Sequence, residues 1–369
     1  KTLATKVFPD KEIGDYFNAR FVCVQIDVDK EKDLARKYRI QAMPTLVFMD
    51  NNGKAVTRVT GAASKTRLLQ KAKEATGELP AFDELWNMHK KNKNDVNVMQ
   101  QILHEAPYII QERRGQGWEA RVKKVFEQYM QTKPREDLLN PTDFTIIMGY
   151  SEMEKNNEHV EFVISHLNDY LKIMPFRRVA NPMFSYTMSL INKLAKENDL
   201  DYKKEIARAD GDMKVIFDSL RHSTYSPVEF LTILGDAYNA LYGHKDQATY
   251  VQLIDNYLTR TGDNVMLQEY QSFISDLLAA TKGDLSDDAA RTVLKWLNAY
   301  LTLGQKAGEQ LQPQNLFWYY LTSGDCLVTL KEITKAKEAY TQAYMLSMQS
   351  GNPNLQAQVK QKLDAINEK

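Results

Sequence analysis

Residues 21–61, FVCVQIDVDKEKDLARKYRIQAMPTLVFMDNNGKAVTRVTG, alternate apolar runs with helix and turn signals, and this order restricts the fold of the first part of the chain. Residues 21–28 are apolar, rich in β-branched side chains and closed by aspartates, which predicts a strand buried on both faces of a parallel sheet. Residues 33–39 carry apolar side chains at helical spacing, which predicts a short crossover helix. The segment therefore indicates an α/β fold.

A hairpin and a capped helix complete the segment. Residues 45–49 form a second apolar run, residues 50–53 supply turn residues that tolerate positive φ, and residues 55–60 predict the returning strand. Gly61 breaks that strand, and Ser64 is placed to cap a last helix. The predicted order is strand, helix, strand, strand, helix.

This pattern resembles the second half of a thioredoxin domain. The matching residues are Asp27, Leu34, Ala35, Tyr38, Ile40, Met43, Pro44, Thr45, Gly53 and Gly61. The resemblance implies that Pro44 follows a cis peptide bond, and that Met43 and Pro44 bind the substrate backbone and shield the redox cysteines. It also implies that Asp27 and Thr45 are structural residues near that site.

The first residues resemble thioredoxin-like proteins of the bacterial envelope, in which a lysine often follows the second cysteine of Trp-Cys-x-x-Cys and a Val-Phe pair precedes a helix. Lys1, Val7 and Phe8 fit this pattern. The resemblance implies a Cys-x-x-Cys just before Lys1, and a first strand, also before Lys1, that lies between residues 21–28 and 45–49. It further implies a periplasmic or cell-envelope location.

The two cysteines in the sequence do not form such a motif. Cys23 lies in a predicted strand and Cys326 in a predicted helix, so each is interpreted as a small buried apolar residue. No Cys and His spacing indicates zinc. The acidic run that begins at Asp27 starts like a calcium loop, but Lys32 and Tyr38 stand where that loop needs Gly and Glu. No metal site is predicted.

Charge and composition exclude several function classes. Lys and Arg total 48 and Asp and Glu total 48, so clustered positive charge for a nucleic acid or an anionic membrane is not expected. The sequence has no run of 18 apolar residues, so no membrane-spanning segment is predicted. It also has no phosphate-cradling glycine loop and no Gly-x-Ser-x-Gly elbow. No cofactor is predicted.

From residue 79 onward the apolar residues recur at helical spacing. We therefore predict a thioredoxin-like α/β domain over residues 1–78, lacking its first strand in this chain, and an all-α, tetratricopeptide-like region over 79–369. Three early helices are centred on Trp86, Ile102 and Phe126. Later helices are predicted at 157–172, 182–197, 200–220, 227–243, 246–260, 263–281, 286–304, 314–331, 334–349 and 353–367.

The clearest repeat covers residues 317–350. Ala336, Tyr340 and Ala343 follow Gly324 at offsets of 12, 16 and 19, which match the small and aromatic positions of a tetratricopeptide repeat. Small residues there let paired helices approach closely. The alternative is an irregular helical domain without a peptide groove, in which the aromatic residues 318–320 are core rather than groove lining.

Three functions are compatible with the sequence. The first is a thiol-disulfide oxidoreductase or isomerase that acts on protein disulfides, with a helical region that binds clients or partners. The second is a non-catalytic interaction protein with the same two parts. The third resembles glutathione transferases, but its helical part would be far shorter than 79–369, and residues 61–64 lack the Glu-Ser pair that binds glutathione.

Overall fold

The chain divides into two compact units, residues 1–138 and 139–369. A computed structural model describes residues 3–220, 224–306 and 311–367. Lys1, from which the position of the cysteine motif is predicted, lies outside these ranges. The domain boundary after residue 78 stays a prediction.

The first unit contains all the strands found in the described residues. After a π-helical turn at Leu3–Val7, its elements are α1 (Lys11–Arg20), α2 (Lys32–Lys37), β1 (Thr45–Met49), β2 (Ala55–Thr60), α3 (Lys65–Ala75), α4 (Phe82–Lys91), α5 (Val96–Glu112), α6 (Trp118–Thr132) and a 3₁₀ turn at Arg135–Leu138. The short helix, the hairpin and the capped helix predicted between residues 33 and 75 are confirmed.

The sheet is an antiparallel hairpin of β1 and β2, in which Thr45 pairs with Thr60 and Phe48 with Thr57. Asp50 Oδ1 accepts hydrogen bonds from the backbone N–H groups of the turn at 2.9 Å. Gly53 closes the turn at φ +73°, which glycine adopts without steric cost because it has no Cβ. Turn chemistry therefore sets the register of this hairpin.

The strand predicted at residues 21–28 is wrong, because this segment is irregular and belongs to no sheet. Phe21 packs against the core, but Val22 is exposed to 95% and Val24 to 75%. Apolar, β-branched runs become strands when neighbouring strands satisfy their backbone groups and cover their side chains. Among the described residues no strand pairs with this segment, since β1 pairs with β2 alone.

The apolar core of residues 3–75, which we call the sheet region, lies between the hairpin and its helices. Phe48 and Val59 on the strands pack with Ile13 and Phe17 of α1 and with Leu68 of α3. The rings of Phe17 and Phe48 are 6.0 Å apart, within the range of favourable aromatic pairs. Ser64 caps α3 by accepting a hydrogen bond from the Arg67 N–H at 3.2 Å. The core thus fixes the hairpin against α1 and α3.

The second unit is helical throughout its regular elements in the described ranges. They are α7 (Pro141–Tyr150), α8 (Glu158–Ser165), α9 (Leu167–Ile173), α10 (Phe176–Lys196), α11 (Tyr202–Asp210), α12 (Lys214–Phe217), α13 (Pro227–Tyr238) with a π-helical turn at Asn239–Gly243, α14 (Gln247–Thr261) followed by a 3₁₀ turn at Gly262–Asn264, α15 (Leu267–Thr281), α16 (Asp287–Lys306), α17 (Pro313–Thr329), α18 (Ile333–Ser350) and α19 (Pro353–Asn367). None of the described helices has the length and apolar character that crossing a bilayer requires.

Most predicted helices are present, with three informative differences. The helix predicted at 200–220 is divided at Gly211. The helix predicted at 182–197 begins six residues earlier, since Pro182 lies inside α10 and does not mark its start. Helix α7 is absent from the predicted set, because an Asn-Pro pair such as Asn140-Pro141 is typical of a turn between helices. They start a helix instead, since the Asn140 side chain caps it and proline fits its first turn.

Helices α17 and α18 pack closely through the predicted repeat positions. Ala336, Tyr340 and Ala343 are buried, and a Cβ on Gly324 would overlap the Tyr340 ring. The Tyr340 hydroxyl donates a hydrogen bond to Asp325 at 2.6 Å. Glycine is therefore required for this close approach.

Candidate functional site

The loop that holds Met43 and Pro44 is anchored on both sides at the start of β1. The Thr45 hydroxyl donates to the Ala42 carbonyl at 2.6 Å, which closes the loop locally. The Gly61 N–H donates to the Pro44 carbonyl at 2.8 Å, which extends the hairpin ladder by one bond. The bond between Met43 and Pro44 is cis, as the resemblance implies. Met43, Pro44 and Thr45 therefore form one ordered loop.

Met43 presents both side chain and backbone to solvent. The residue is 71% exposed. Within the described part of the chain, neither its N–H nor its carbonyl has a hydrogen-bond partner. An extended peptide could use such groups as a strand uses a neighbour's edge. This arrangement can bind a polypeptide backbone without requiring a particular side chain.

Asp27 has a local role at the start of α2. Its carboxylate accepts a hydrogen bond from the Asp29 N–H at 3.1 Å and pairs with Lys30 at 3.8 Å, while its carbonyl accepts from the Glu31 N–H at 2.8 Å. These contacts shape the turn that leads into α2. The contacts of Asp27 are with this turn, whereas those of Thr45 are with the Met43 loop.

The two cysteines differ strongly in environment. Cys326 is buried in α17, as predicted, and burial together with the neighbouring Asp325 raises the pKa of its thiol to about 12. Cys23 is exposed, so the prediction that it is buried is wrong, because residues 21–28 are not covered by a sheet. Both are free thiols. No group of three or more His, Cys, Asp or Glu side chains in the described ranges is arranged to hold a metal ion.

Gly61 and Tyr38 had no predicted hydrogen-bonding role in the Met43 loop or in the hairpin next to it. Gly61 was interpreted as a strand break, yet its N–H holds the Pro44 carbonyl. Tyr38 was part of a helical pattern, yet its hydroxyl donates to the Gly53 carbonyl at 3.1 Å and its own carbonyl accepts from Arg58 at 3.2 Å. Their pairing with residues 15 to 20 positions away depends on the folded hairpin, so neighbouring residues give no signal for it.

Comparisons with known proteins match the N-terminal region, in which this loop lies. Residues 1–76 match the family model of the thioredoxin-like domain. Thioredoxin-1 of Drosophila yakuba is 38% identical over 42 residues, which cover 11% of this chain and 39% of that protein. The thioredoxin-like protein slr0233 of Synechocystis sp. is 33% identical over 60 residues, which cover 16% of this chain and 56% of that protein. No solved structure gives a significant match.

These matches concern the N-terminal region. The chain spans about two fifths of the length of the Drosophila yakuba relative and just over half of that of the Synechocystis relative. The predicted fold class is confirmed: a thioredoxin-like region with a small sheet precedes a mostly helical region. At the level of the family, a thioredoxin-like domain indicates function of the thiol-disulfide redox type.

Proposed function

We propose that this protein is a thiol-disulfide oxidoreductase or isomerase that acts on protein disulfides, with the Met43–Pro44 loop as its contact for the substrate backbone. The observation that supports this proposal most directly is the loop itself, which lies within the residues that match the thioredoxin-like domain. Met43 is exposed there, and its N–H and carbonyl have no hydrogen-bond partner among the described residues. The anchors from Thr45 and Gly61 support it, because a pre-ordered loop loses little entropy when a peptide binds.

The proposal places the redox pair, Cys-x-x-Cys, before Lys1 and gives neither Cys23 nor Cys326 a catalytic role. The first cysteine attacks a substrate disulfide as its thiolate, which forms a mixed disulfide and releases one substrate thiolate. The second cysteine then attacks the mixed disulfide. This releases the reduced substrate and leaves the enzyme pair oxidised, so two electrons pass to the substrate.

Two measurements test the proposal. The first reads the ten residues encoded before Lys1, where a Cys-x-x-Cys is expected. The second follows insulin reduction by turbidity, with the polypeptide that includes those residues. Met43→Glu is expected to slow the reaction about tenfold, which corresponds to roughly 1.4 kcal/mol of lost substrate contact. Met49→Glu is the matched control, because Met49 is also an exposed methionine but lies at the opposite end of β1 from the Met43–Pro44 loop.

An unchanged rate in Met43→Glu would remove the loop from the proposal. Other residues in place of both cysteines, together with no insulin reduction, would favour the second function, a non-catalytic interaction protein. In that case Met43→Glu would still weaken peptide binding, which fluorescence anisotropy with a labelled peptide can measure.

We also propose that the helical region binds protein clients or partners through a tetratricopeptide-like arrangement. The supporting observation is the close pair of α17 and α18, where Gly324 lies against Tyr340. Crosslinking of the full polypeptide to reduced, unfolded insulin, followed by mass spectrometry, should place crosslinks within residues 79–369. Crosslinks confined to residues 1–78 would contradict this role.

The proposed location is the periplasm or cell envelope. It is supported by the resemblance of the first residues, including Val7 and Phe8, to envelope thioredoxin-like proteins. Fractionation of the cells that produce the protein, with an antibody against it, should find it in the envelope or periplasmic fraction. Recovery with cytoplasmic markers would reject this location.

A further inference from the structure

Four charged side chains are buried where α3 meets α5. Arg67, Lys71, Glu74 and Glu105 are 9%, 3%, 5% and 2% exposed, respectively. Charged residues are rarely buried to this extent unless they are paired. The first three lie on the last helix of the sheet region, and Glu105 lies on α5. This set, which we call the buried charge cluster, therefore joins two parts of the first unit.

The pairing within the cluster is complete and its net charge is zero. The Arg67 guanidinium contacts both carboxylate oxygens of Glu105. Lys71 Nζ lies 3.0 Å from Glu105 and donates to the two oxygens of Glu74 at 2.7 and 2.9 Å. Gln70 also donates to Glu105. Each buried charge thus has an opposite partner, which offsets the cost of removing it from water.

The buried environment shifts the pKa values of Glu105 and Glu74 in opposite directions. Burial raises the pKa of Glu105, but His104, Arg67 and Lys71 more than offset that effect, so the net pKa is well below its usual range. Burial dominates at Glu74, where it raises the pKa despite the contact with Lys71. Glu105 is therefore the firmly ionised acid that holds both cations of α3.

Charged side chains cross this junction. The apolar core of the sheet region ends with α3, and its last partly buried member is Ala75. Helices α4–α6, which we call the three-helix layer, have an aromatic core of their own, in which Trp86 and Trp118 are 5.0 Å apart. Two further contacts cross the junction: Arg58, outside the cluster, pairs with Glu112 at 3.4 Å, and Arg67 of the cluster lies over the Tyr108 ring at 3.9 Å.

We propose that the buried charge cluster is a conformational joint, which holds the three-helix layer and the sheet region together while its charges balance and releases them when one charge is lost. Removing one partner leaves the other buried without compensation, whereas removing an opposite pair leaves the balance intact. Lys71 and Glu74 remain paired when Arg67 and Glu105 are both neutral. The joint therefore depends on the balance of opposite charges in the cluster more than on any single residue.

Hydrogen exchange with mass spectrometry on the full chain tests the joint, because it reports opening helix by helix. Glu105→Gln and Arg67→Met are each expected to accelerate exchange in both α3 and α5 by at least roughly 100-fold. The double variant, Arg67→Met with Glu105→Gln, should return both helices to within about tenfold of the native rates. Helix α17 should be unaffected by all three.

Asp169→Asn is the control, because it removes an exposed ion pair with Lys172 at 2.8 Å and should leave exchange unchanged. Acceleration confined to one helix, or a double variant whose effect is the sum of the single effects, would overturn the proposal. If a single variant does not fold, the double variant decides alone. A folded double variant with α3 and α5 jointly protected supports the joint, and an unfolded one overturns it.

Discussion

At the residue scale, His89 shows how burial changes the chemistry of a side chain. It lies on α4, is 7% exposed, and its ring centre is 5.7 Å from that of Trp86. Its Nδ1 has no hydrogen-bond partner among the described residues. Burial, with a smaller contribution from Lys93, lowers the pKa of the imidazole. The folded chain therefore favours the neutral ring.

This gives a pH dependence of stability with a definite sign. Below about pH 6.5 the unfolded chain takes up a proton at His89 that the folded chain resists, so stability is full above that pH and falls as the pH is lowered. A single group can contribute at most about 1.4 kcal/mol per pH unit. Urea unfolding at a series of pH values should show a smaller slope in His89→Leu than in the native chain.

His244→Gln is the control for this measurement, because His244 is exposed. It should retain the native slope. Equal slopes in the native chain and His89→Leu would show that His89 is not responsible.

Single residues also show how far the candidate site was predictable. Met43, Pro44 and Thr45 are consecutive, so a short motif was enough to place them in one loop.

The buried charge cluster was not predictable in this way. Glu105 pairs with Arg67, 38 positions away, and charges at helical spacing normally indicate a solvated face. Burial of those charges depends on which helices meet, and this information is not local in sequence.

At the scale of elements, the pair of α17 and α18 depends on one glycine. Gly324→Ala is expected to lower the free energy of unfolding by about 1–3 kcal/mol, because the added methyl group overlaps the Tyr340 ring and forces it or the helices apart. Thermal unfolding followed by circular dichroism measures the change.

Gly14→Ala provides the matched comparison within α1. Nothing lies within 4 Å of a Cβ built on Gly14, so only helix propensity changes and a gain of up to about 1 kcal/mol is expected. If Gly324→Ala were also neutral or stabilising, the close approach of α17 and α18 would not require glycine.

Elements with local signals were predicted well, and those that depend on distant partners were not. Turn residues specified the hairpin of β1 and β2, and Ser64 specified the start of α3. Residues 21–28 have the composition of a strand, but a strand needs a neighbour. Helix α7 was missed for a different reason, since Asn140 and Pro141 can either end or begin a helix.

At the scale of the whole molecule, the two free thiols report on different units. Cys23 is exposed in the first unit and Cys326 is buried in the second. Burial raises the pKa of the Cys326 thiol to about 12, so the reactive thiolate form is scarce near neutral pH. Reaction at Cys326 therefore requires the second unit to open.

Labelling of the polypeptide of residues 1–369 with iodoacetamide should consequently occur in two phases. One thiol should react at once, and the second at least about a thousandfold more slowly until denaturant is added. Mass spectrometry of Cys23→Ser should show the slow phase alone, and that of Cys326→Ser the fast phase alone. Rapid labelling of both thiols in native buffer would contradict the burial of Cys326.

The apolar segment at residues 21–28 also matters in concentrated solution wherever no further strand covers it. Val22 and Val24 are uncovered, and within the described residues β1 and β2 each have one unpaired edge. Open strand edges and uncovered apolar runs are templates on which other chains add strands, which is how aggregation starts. While residues 21–28 stay unpaired, loss of material on concentration would therefore begin in the sheet region.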